Sequence, residues 1–324
     1  MIISRTPFRI SLAGGGTDLP DYYRESGGCV TALTIDKYMY IMVNRRFDNT
    51  LRVGYSRMEL VDHADQLQHP LVRAALTYTN LLSGLEVTSM ADVPAQTGIG
   101  SSSSFLVGVL NALHAYKGEH ASAERLASEA CEIEVDILRE PIGKQDQYIA
   151  AFGGLRFIEF NADQSVYCNP IISPAGVREE LMRHLRLYYT GITRPAASVL
   201  KEQKETTQLN RAVLDEMREQ AREVRDIVLS GHHLIRIGEI LHRGWILKRK
   251  LASNVSNPAL DSYYERAMEA GAVGGKILGA GGGGFLLLFV EPQNHSRVDL
   301  ALQSLMPVQF GYEPQGSKII YVTD

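Results

Sequence analysis

The sequence predicts a mixed α+β fold made of two domains, and three observations support this. The chain has 324 residues, which is long for one hydrophobic core and comfortable for two. Its first half alternates strand-like and helix-like segments, whereas long helical patterns dominate beyond about residue 175. The turn-forming stretch NPIISPAG separates the two textures, so we expect domains over residues 1–170 and 171–324.

In the first domain the opening segments predict strands. IISRTPFRISLAG, CVTALTIDKYMYIMVNRRF and LRVGYS are rich in β-branched and aromatic residues and are separated by turn signals. Helical periodicity appears at 70–83, then after the serines at 101–104 as far as Gly118, and again at 122–139. GGLRFIEF predicts one more strand.

In the second domain the pattern is mainly helical. Helices are predicted at 196–229, 232–252 and 258–270. KILGAGGGGFLLLFV then predicts a strand, a glycine turn and a second strand. A helix near 296–305 and a final strand, KIIYVTD, complete this half.

Composition and charge exclude several classes of protein. A hydrophobic content of 45% and a charged content of 22% are ordinary for a globular protein. The net charge of −4, without any block of Lys and Arg, argues against nucleic-acid binding, and no apolar run is long enough to span a membrane. The cysteines, Cys29, Cys131 and Cys168, are too widely spaced for a zinc site or a disulfide framework, so we expect reduced thiols in a cytoplasmic protein.

The stretch PAQTGIGSSSSF, residues 94–105, indicates an anion-binding turn. Its glycines at 98 and 100 let backbone approach a ligand closely, and its serines open a helix whose first N–H groups are unpaired. Such a helix start carries about +0.5 of a charge and favours phosphate. Because no G-x-x-x-x-G-K-[ST] motif occurs, the site is not a Walker A loop. The alternative is a serine-rich cap on an ordinary helix, which the glycines at 98 and 100 disfavour.

One acid of the predicted helix at 122–139 stands apart from the others. The expected solvent face comprises Glu129, Glu132, Asp136 and Arg139. Glu134 belongs neither to this face nor to the apolar stripe, and lies at the buried edge. A carboxylate there needs a partner such as a cation, unless it is a rim glutamate that reaches water.

Just beyond this helix, REPIGKQDQY places Asp146 two residues after Lys144. Pro141 ends the helix and Gly143 supplies the turn. An aspartate on such a loop is either a general base or an ordinary turn residue, and the local pattern does not decide between them.

Two further glycine turns accompany these residues. PFRISLAGGGTD, residues 7–18, combines a turn with Arg9, whose guanidinium suits phosphate charge, and Asp18, whose carboxylate suits sugar hydroxyls. GAGGGG at 279–284 formally matches the dinucleotide pattern G-x-G-x-x-G, but a strand follows it rather than a helix. It predicts a hairpin that closes over a ligand, with a tight β-turn as the alternative.

Taken together, PFRISLAGGGTD, PAQTGIGSSSS and KILGAGGGG resemble the three motifs of the GHMP small-molecule kinase superfamily, over nearly the whole chain. The resemblance implies an N-terminal domain like domain 2 of ribosomal protein S5, a ferredoxin-like C-terminal domain, and ATP and an acceptor between them. GGGTD and GKQDQY are most similar to the sugar-heptose branch, although Ile142 stands here in place of a second glycine.

The resemblance also implies roles for single residues. Asp146 resembles the catalytic aspartate, Arg9 the arginine that assists it, and Ser102 and Glu134 the ligands of Mg²⁺. The phosphates of ATP are expected on Thr97, Gly98, Ile99, Gly100, Ser101, Ser102 and Ser103. The acceptor is expected on Arg9, Gly15, Gly16, Thr17, Asp18, Lys144, Asp146, Arg194, Gly281, Gly282 and Gly283.

Gly15 and Gly16 stand where galactokinases carry Glu and His, which leaves room for an acceptor longer than a hexose, bearing its own phosphate. Arg194, Lys201 and Lys37 are candidates to bind that phosphate, each with a surface charge as the alternative. The resemblance therefore implies transfer of the γ-phosphoryl of Mg-ATP to the 1-hydroxyl of heptose 7-phosphate, with a fucose- or galactose-type 1-kinase as the second choice.

Two other classes of protein remain as rivals. A non-catalytic sugar- or ATP-binding regulator on the same fold is disfavoured because Asp146, Glu134 and Ser102 are retained. A dinucleotide-dependent sugar oxidoreductase is disfavoured by the misplaced glycine pattern. Apart from ATP and a sugar phosphate we expect no nucleic-acid or membrane partner, and a homodimer stays open.

Overall fold

Two β-sheets with helices packed on them make up the structure. The computed structural model describes residues 1–193 and 196–323, without the side chains of residues 196–198. The first half of the chain forms β1 (Ile2–Ala13), α1 (Pro20–Ser26), β2 (Gly28–Arg45), β3 (Leu51–Gly54), β4 (Met58–Val61), α2 (Pro70–Tyr78), β5 (Leu85–Ala91), α3 (Ser101–Tyr116), α4 (Ala123–Cys131), α5 (Gln145–Phe152), β6 (Leu155–Phe160) and β7 (Val166–Pro170). The second half forms α6 (Val177–His184), β8 (Leu185–Tyr189), α7 (Ala196–Glu205), α8 (Arg211–Ser230), α9 (Ile235–Lys248), α10 (Pro258–Glu269), β9 (Ala272–Ile277), β10 (Phe285–Val290), α11 (His295–Ala301), β11 (Met306–Val308) and β12 (Lys318–Val322).

The larger sheet is built on two long strands. β1 and β2, both rich in β-branched and apolar residues, pair antiparallel over most of their length. The first part of β2 also pairs with β6 and its second part with β5, so the sheet branches there. Within the described residues this sheet has eight strands, in the order β12-β1-β2-β5-β3-β4, with β6 and β7 beside β2. Helix α3 packs across β1 and β2.

The smaller sheet is antiparallel, in the order β11-β8-β10-β9. All six residues of β10 are buried, because side chains on alternate positions enter two different cores. Phe285, Leu287 and Phe289 join the core that extends from the larger sheet. Leu286, Leu288 and Val290 join the core under α10 and α11. This strand therefore ties the two halves of the chain together.

The prediction of a mixed, two-domain architecture is confirmed. Strands β1 to β7 lie before residue 171 and β8 to β11 after it, but β12, from the end of the chain, pairs with β1 in the larger sheet. The exact division at residue 170 stays a prediction. None of the helices in the described part of the chain combines the length and apolar character needed to cross a bilayer.

Several predicted helix bounds were wrong. The helix predicted at 196–229 is two helices, because α7 ends at Glu205 and α8 begins at Arg211. At the break, the hydroxyl of Thr207 bonds to the carbonyl oxygen of Gln203 at 2.9 Å, a side-chain bond of the kind that competes with helical structure. The helix predicted at 122–139 changes after α4 into a π-helical turn, Glu132–Ile137.

The predicted solvent face of that helix was wrong for one residue. Glu129 is only 8% exposed and hydrogen-bonds Nε2 of His114 at 2.6 Å, while Nε of Arg125 donates to it at 2.8 Å. His114 is a buried polar residue of α3, so α4 meets a polar partner where periodicity predicts water. Glu132, Asp136 and Arg139 are exposed, as predicted.

Candidate active site

A cleft of about 820 Å³ lies between elements of the two halves, toward the upper end of the range for ligand sites. The three glycine turns predicted from the sequence meet in it. They contribute Gly15 and Gly16, Gly98 and Gly100, and Gly279, Gly281 and Gly283 to its lining. The three turns therefore contribute backbone surface to the cleft and leave space for a ligand there.

The turn before α3 forms one wall of the cleft. Gly98 and Gly100 have φ angles of +80° and +76°, in the left-handed region that favours glycine, and Ser101 begins the helix. The third glycine turn packs directly on it, since a Cβ atom on Gly98 would lie 2.5 Å from the carbonyl oxygen of Leu278. Ser101, Ser102 and Ser103, at the start of α3, line the cleft, and the first N–H groups of a helix are a favourable place for an anion.

Arg9 and Asp146 form a bidentate ion pair beside this turn. Nε and Nη2 of Arg9 donate to Oδ1 and Oδ2 of Asp146, each at 2.7 Å, and Nη1 donates to the carbonyl oxygen of Gly98 at 2.7 Å. A Cβ atom on Gly100 would lie 3.3 Å from Oδ2 of Asp146. The carboxylate is therefore held in one orientation, next to the turn suited to phosphate.

Asp18 also lines the cleft, beside the loop that leads to Asp146. Its carboxylate accepts hydrogen bonds from the backbone N–H groups of Gly16 at 2.9 Å and Gln145 at 3.3 Å. Burial, together with the nearby charge of Asp146, raises the pKa of Asp18. Gly143 has no room for a side chain, because a Cβ atom there would lie 2.0 Å from Oδ2 of Asp18. The glycine predicted as a turn residue thus allows the close approach of Asp18.

Glu134 is 1% exposed and points into the cleft from the π-helical turn. Oγ of Ser103 donates to its carboxylate at 2.8 Å and Nε2 of Gln147 at 2.6 Å. Among the described side chains, none that carries a positive charge bonds to it. Burial therefore raises the pKa of Glu134 to about 7, although the hydrogen bonds oppose this.

These donors fit Mg²⁺. A buried carboxylate without a counter-charge and the hydroxyl of Ser102, also in the cleft lining, offer the hard oxygen ligands that Mg²⁺ prefers. Within residues 1–193 and 196–323, no cluster of three or more His, Cys, Asp or Glu side chains forms a complete metal cage. Mg²⁺ in phosphoryl-transfer sites is held by one or two carboxylates together with substrate phosphates and water, so a single carboxylate is sufficient.

The structure brings most of the expected site residues to the cleft. Those lining it are Arg9, Gly15, Gly16, Asp18, Gly98, Gly100, Ser101, Ser102, Ser103, Glu134, Asp146, Gly281 and Gly283. Thr17, Thr97, Ile99, Lys144 and Gly282 are not part of the lining. Arg194 lies outside the described residues.

The residues that do not line the cleft have other contacts. The hydroxyl of Thr17 donates to the carbonyl oxygens of Gly14 and Cys29. The hydroxyl of Thr97 donates to the carbonyl oxygen of Pro94. The N–H of Gly282 donates to the carbonyl oxygen of Val255 at 2.8 Å. These three residues shape the turns themselves.

Lys144 also points elsewhere. Its ammonium lies over the ring of Tyr23, 5.4 Å from the ring centre. The other lysines considered from the sequence are outside the lining too: Lys37 lies 3.9 Å from the carboxylate of Asp36, and Lys201 is exposed on α7. Of the candidates for an acceptor phosphate, the two lysines therefore lie outside the cleft lining, and Arg194 stays a prediction.

Sequence reasoning missed two lysines and an aromatic end of the cleft. Lys276 and Lys248 both line the cleft. Lys276 is the charged residue of an otherwise apolar strand, KIL, directly before the third glycine turn, which is a signal that could have been noticed. Lys248 stands in the run LKRK and has no such signal.

The aromatic end consists of Tyr55, His69 and Phe105. His69 stacks on Phe105 at 5.1 Å, and Tyr55 meets His69 edge-on at 4.6 Å between ring centres. These residues come from three separate elements, so no local motif announces them. Together they offer an apolar surface for a flat ring system.

Comparison with known proteins agrees with this geometry. A D-glycero-alpha-D-manno-heptose 7-phosphate kinase of Campylobacter jejuni is 29% identical over 316 residues, covering 93% of each chain. An L-fucokinase/L-fucose-1-P guanylyltransferase of Bacteroides fragilis is 28% identical, and the match covers 95% of this chain but 36% of that protein. The crystal structure of a D-glycero-D-manno-heptose 1-phosphate kinase from Bacteroides thetaiotaomicron superposes over the whole of both chains with a TM-score of 0.83 at 25% identity.

Family models match both halves of the chain. The model of the GHMP kinase N-terminal domain matches residues 60–154, and that of the GHMP kinase C-terminal domain matches residues 214–307. The first match contains the glycine turn before α3, Glu134 and Asp146, and the second contains the third glycine turn. The chain therefore belongs to the GHMP kinase family and is a sugar kinase, a phosphotransferase that uses ATP and acts on an alcohol group.

Proposed function

We propose that this kinase transfers the γ-phosphoryl group of ATP to the anomeric 1-hydroxyl of D-glycero-D-manno-heptose 7-phosphate, giving the 1,7-bisphosphate and ADP. The observation that carries the proposal is the position of Asp146. Its carboxylate is held by Arg9 between the glycine turn before α3 and the wall that carries Asp18. An acceptor hydroxyl beside Asp146 would face a phosphate seated on that turn.

On the ATP side, the backbone N–H groups of the turn and of Ser101 to Ser103 are the proposed phosphate ligands. The aromatic end of the cleft, with Tyr55, His69 and Phe105, is the proposed adenine site. Glu134 and Ser102 would hold Mg²⁺, with Ser103 and Gln147 orienting the carboxylate. Mg²⁺, when bound, neutralises charge on the phosphate oxygens.

On the acceptor side, Asp18 would bind sugar hydroxyls while Gly15 and Gly16 leave room for a long acceptor. Asp146 orients the 1-hydroxyl and accepts its proton as the new O–P bond forms and the bond from the γ-phosphorus to ADP breaks. Arg9 offsets charge at Asp146 and beside the transferred group. Positioning and counter-charge supply most of the catalysis in phosphoryl transfer, which suits a carboxylate held in place by Arg9.

We favour a heptose phosphate over other sugars because two relatives are named for such acceptors. The matches to them cover 93% and 100% of this chain. Their names differ in the position of the phosphate, 7 in one and 1 in the other. The fucokinase match supports a fucose-type acceptor as the second choice.

The direct test offers the purified protein ATP, Mg²⁺ and one acceptor at a time. The acceptors are heptose 7-phosphate, heptose 1-phosphate, unphosphorylated heptose, L-fucose and D-galactose, with ADP release and ³¹P NMR as readouts. We expect the highest kcat/KM with heptose 7-phosphate and a new phosphorus signal coupled to the anomeric proton. A higher kcat/KM with any other acceptor would refute the proposed substrate, and no ADP with any of them would favour a non-catalytic binding protein.

A further inference from the structure

Two lysines of the cleft have no role in the mechanism above. Lys276, on β9, is 8% exposed. Lys248, at the end of α9, is partly buried, and both residues line the cleft from the second half of the chain. Nζ of Lys276 donates to the carbonyl oxygen of Leu12 at 3.2 Å. Nζ of Lys248 donates to the carbonyl oxygens of Ile277, at 3.0 Å, and Gly279. Across the described residues, neither ammonium group forms an ion pair with a carboxylate.

The cleft therefore contains two amino groups whose protonated, charged forms the protein does not balance. Burial lowers the pKa of Lys276 to about 7, with the nearby charge of Arg9 adding to the effect. Burial, followed by the charges of Lys276 and Arg9, lowers the pKa of Lys248 well below its usual value. Arg9 has Asp146 as a counter-ion, whereas the two lysines have backbone carbonyls alone. A bound anion would supply the missing counter-charge.

The position of Lys276 assigns this charge to the acceptor side. Leu12, which accepts its hydrogen bond, lies two residues before the glycine turn at 14–16. On the same strand, Ser11 is 5% exposed, and its hydroxyl has no hydrogen-bond partner within the described part of the chain. A Cβ atom on Gly15 would lie 3.8 Å from Oγ of Ser11 and 3.8 Å from Nε2 of Gln145. The hydroxyl of Ser11 thus borders the space left by the glycines, and the ammonium group of Lys276 is held two residues before their turn.

The spacing along β1 argues for a long ligand. Arg9, which holds Asp146, and Leu12, which holds Lys276, are three residues apart, or about 10 Å on an extended strand. A seven-carbon sugar phosphate is long enough to contact groups held at both of these positions.

We propose that Lys276 and Lys248, with the hydroxyl of Ser11, bind the phosphate that the acceptor already carries and so select phosphorylated over unphosphorylated sugar. This inference rests on the proposed function, since it needs a sugar phosphate as acceptor. It replaces the surface lysines considered from the sequence, Lys37 and Lys201, which lie outside the cleft.

The test compares two acceptors in three variants. Lys276→Met and Lys248→Met remove the charge while keeping most of the side-chain volume, and Lys250→Met, an exposed lysine two residues beyond Lys248, is the matched control. KM and kcat are measured for heptose 7-phosphate, unphosphorylated heptose and ATP. Melting temperatures check that each variant is folded under the assay conditions.

We expect Lys276→Met and Lys248→Met each to raise KM for heptose 7-phosphate roughly 10- to 100-fold, the range for a lost hydrogen bond to a charged group. KM for ATP and kcat/KM for unphosphorylated heptose should stay within about twofold, as should all constants of Lys250→Met. An equal loss with both acceptors, or a fall in kcat at unchanged acceptor KM, would overturn the inference and place the lysines on the transferred phosphoryl group. If the wild-type enzyme itself shows no preference for the phosphorylated sugar, the proposed function has failed, and this inference with it.

Discussion

Two buried glutamates, five residues apart in the sequence, lie in opposite surroundings. Glu129, on α4, bonds His114 at 2.6 Å, receives a hydrogen bond from Arg125 at 2.8 Å and is not part of the cleft lining. Glu134, on the π-helical turn that follows, is more deeply buried and lines the cleft. Its partners are an uncharged hydroxyl and an amide.

The difference appears in the pKa values of the two groups. Burial tends to raise the pKa of Glu129, but the bonds from His114 and Arg125 outweigh it, and the pKa is lowered. Burial dominates at Glu134 and raises its pKa to about 7. The folded state therefore favours the charged form of Glu129 and disfavours that of Glu134, and an unbalanced buried group of the second kind is a candidate for binding a ligand. Lys248 and Lys276 belong to the second kind.

Asp146 tests this comparison most strongly, because it is paired like Glu129 yet lines the cleft like Glu134. If its role is catalytic, Asp146→Asn should lower kcat about 10²- to 10⁴-fold, the usual range for a positioned acid-base group. Binding of ATP should survive, because the N–H groups of the glycine turn are unchanged. Steady-state kinetics and titration with a fluorescent ATP analogue measure the two effects separately.

The matched control for this variant is Asp136→Asn, an exposed aspartate on the π-helical turn. Its kinetic constants should match those of the wild-type enzyme. Near-normal turnover of Asp146→Asn would remove Asp146 from the catalytic role and leave the pair with Arg9 as a structural one, like that of Glu129.

Glu134→Gln should stabilise the protein when no metal is bound. The carboxyl has an ordinary pKa of 4.5 and a folded-state pKa of about 7, so the folded state favours its protonated form. Below pH 4.5 the ionisation of Glu134 costs no folding free energy. The cost grows as the pH rises from 4.5 to about 7, and it is fully present above pH 7. Replacing the charge should therefore add about 3 kcal/mol to the free energy of unfolding at pH 8, and little at pH 4.

Denaturant unfolding in EDTA at both pH values measures this effect on stability. A titration of activity with Mg²⁺ measures the effect of the variant on metal dependence. We expect Glu134→Gln to need more Mg²⁺, since one carboxylate ligand is lost. A variant that is no more stable than wild type at pH 8, or that keeps the wild-type Mg²⁺ dependence, would contradict the interpretation of Glu134 as an unbalanced charge kept for a metal.

Local patterns were enough for part of this site. The glycine turns are local signatures, and together with Arg9, Asp18, Glu134 and Asp146 they could be recognised from motifs within short stretches. Their meeting in one cleft is confirmed by the structure.

What sequence reasoning could not predict depends on contacts between distant elements. Periodicity assigns Glu129 to solvent because it considers one helix at a time, and cannot know that His114 of α3 lies opposite. Lys248 reaches the cleft only because α9 packs on β9, whose turn supplies the carbonyl of Gly279. The return of β12 to β1 likewise has no local signal.

Glu129→Gln is the counterpart of Glu134→Gln and should act in the opposite direction, with a smaller effect. The pKa of Glu129 is lower in the folded state than its ordinary value of 4.5, so the ionised carboxylate stabilises the fold above pH 4.5. That contribution is lost as the pH falls through the folded-state pKa. The variant should therefore be less stable than wild type at pH 8 and should approach wild type at low pH. We expect a loss of about 2 kcal/mol at pH 8, typical of hydrogen bonds to a charged group. The loss is moderate because Glu119 still bonds both His114 and Arg125, at 3.1 Å each. Unfolding curves at pH 8 and at low pH measure this loss, with Asp136→Asn as the control. We expect kcat and both KM values of Glu129→Gln to match those of the wild-type enzyme. A fall in activity without a fall in stability would mean that Glu129 also serves the cleft.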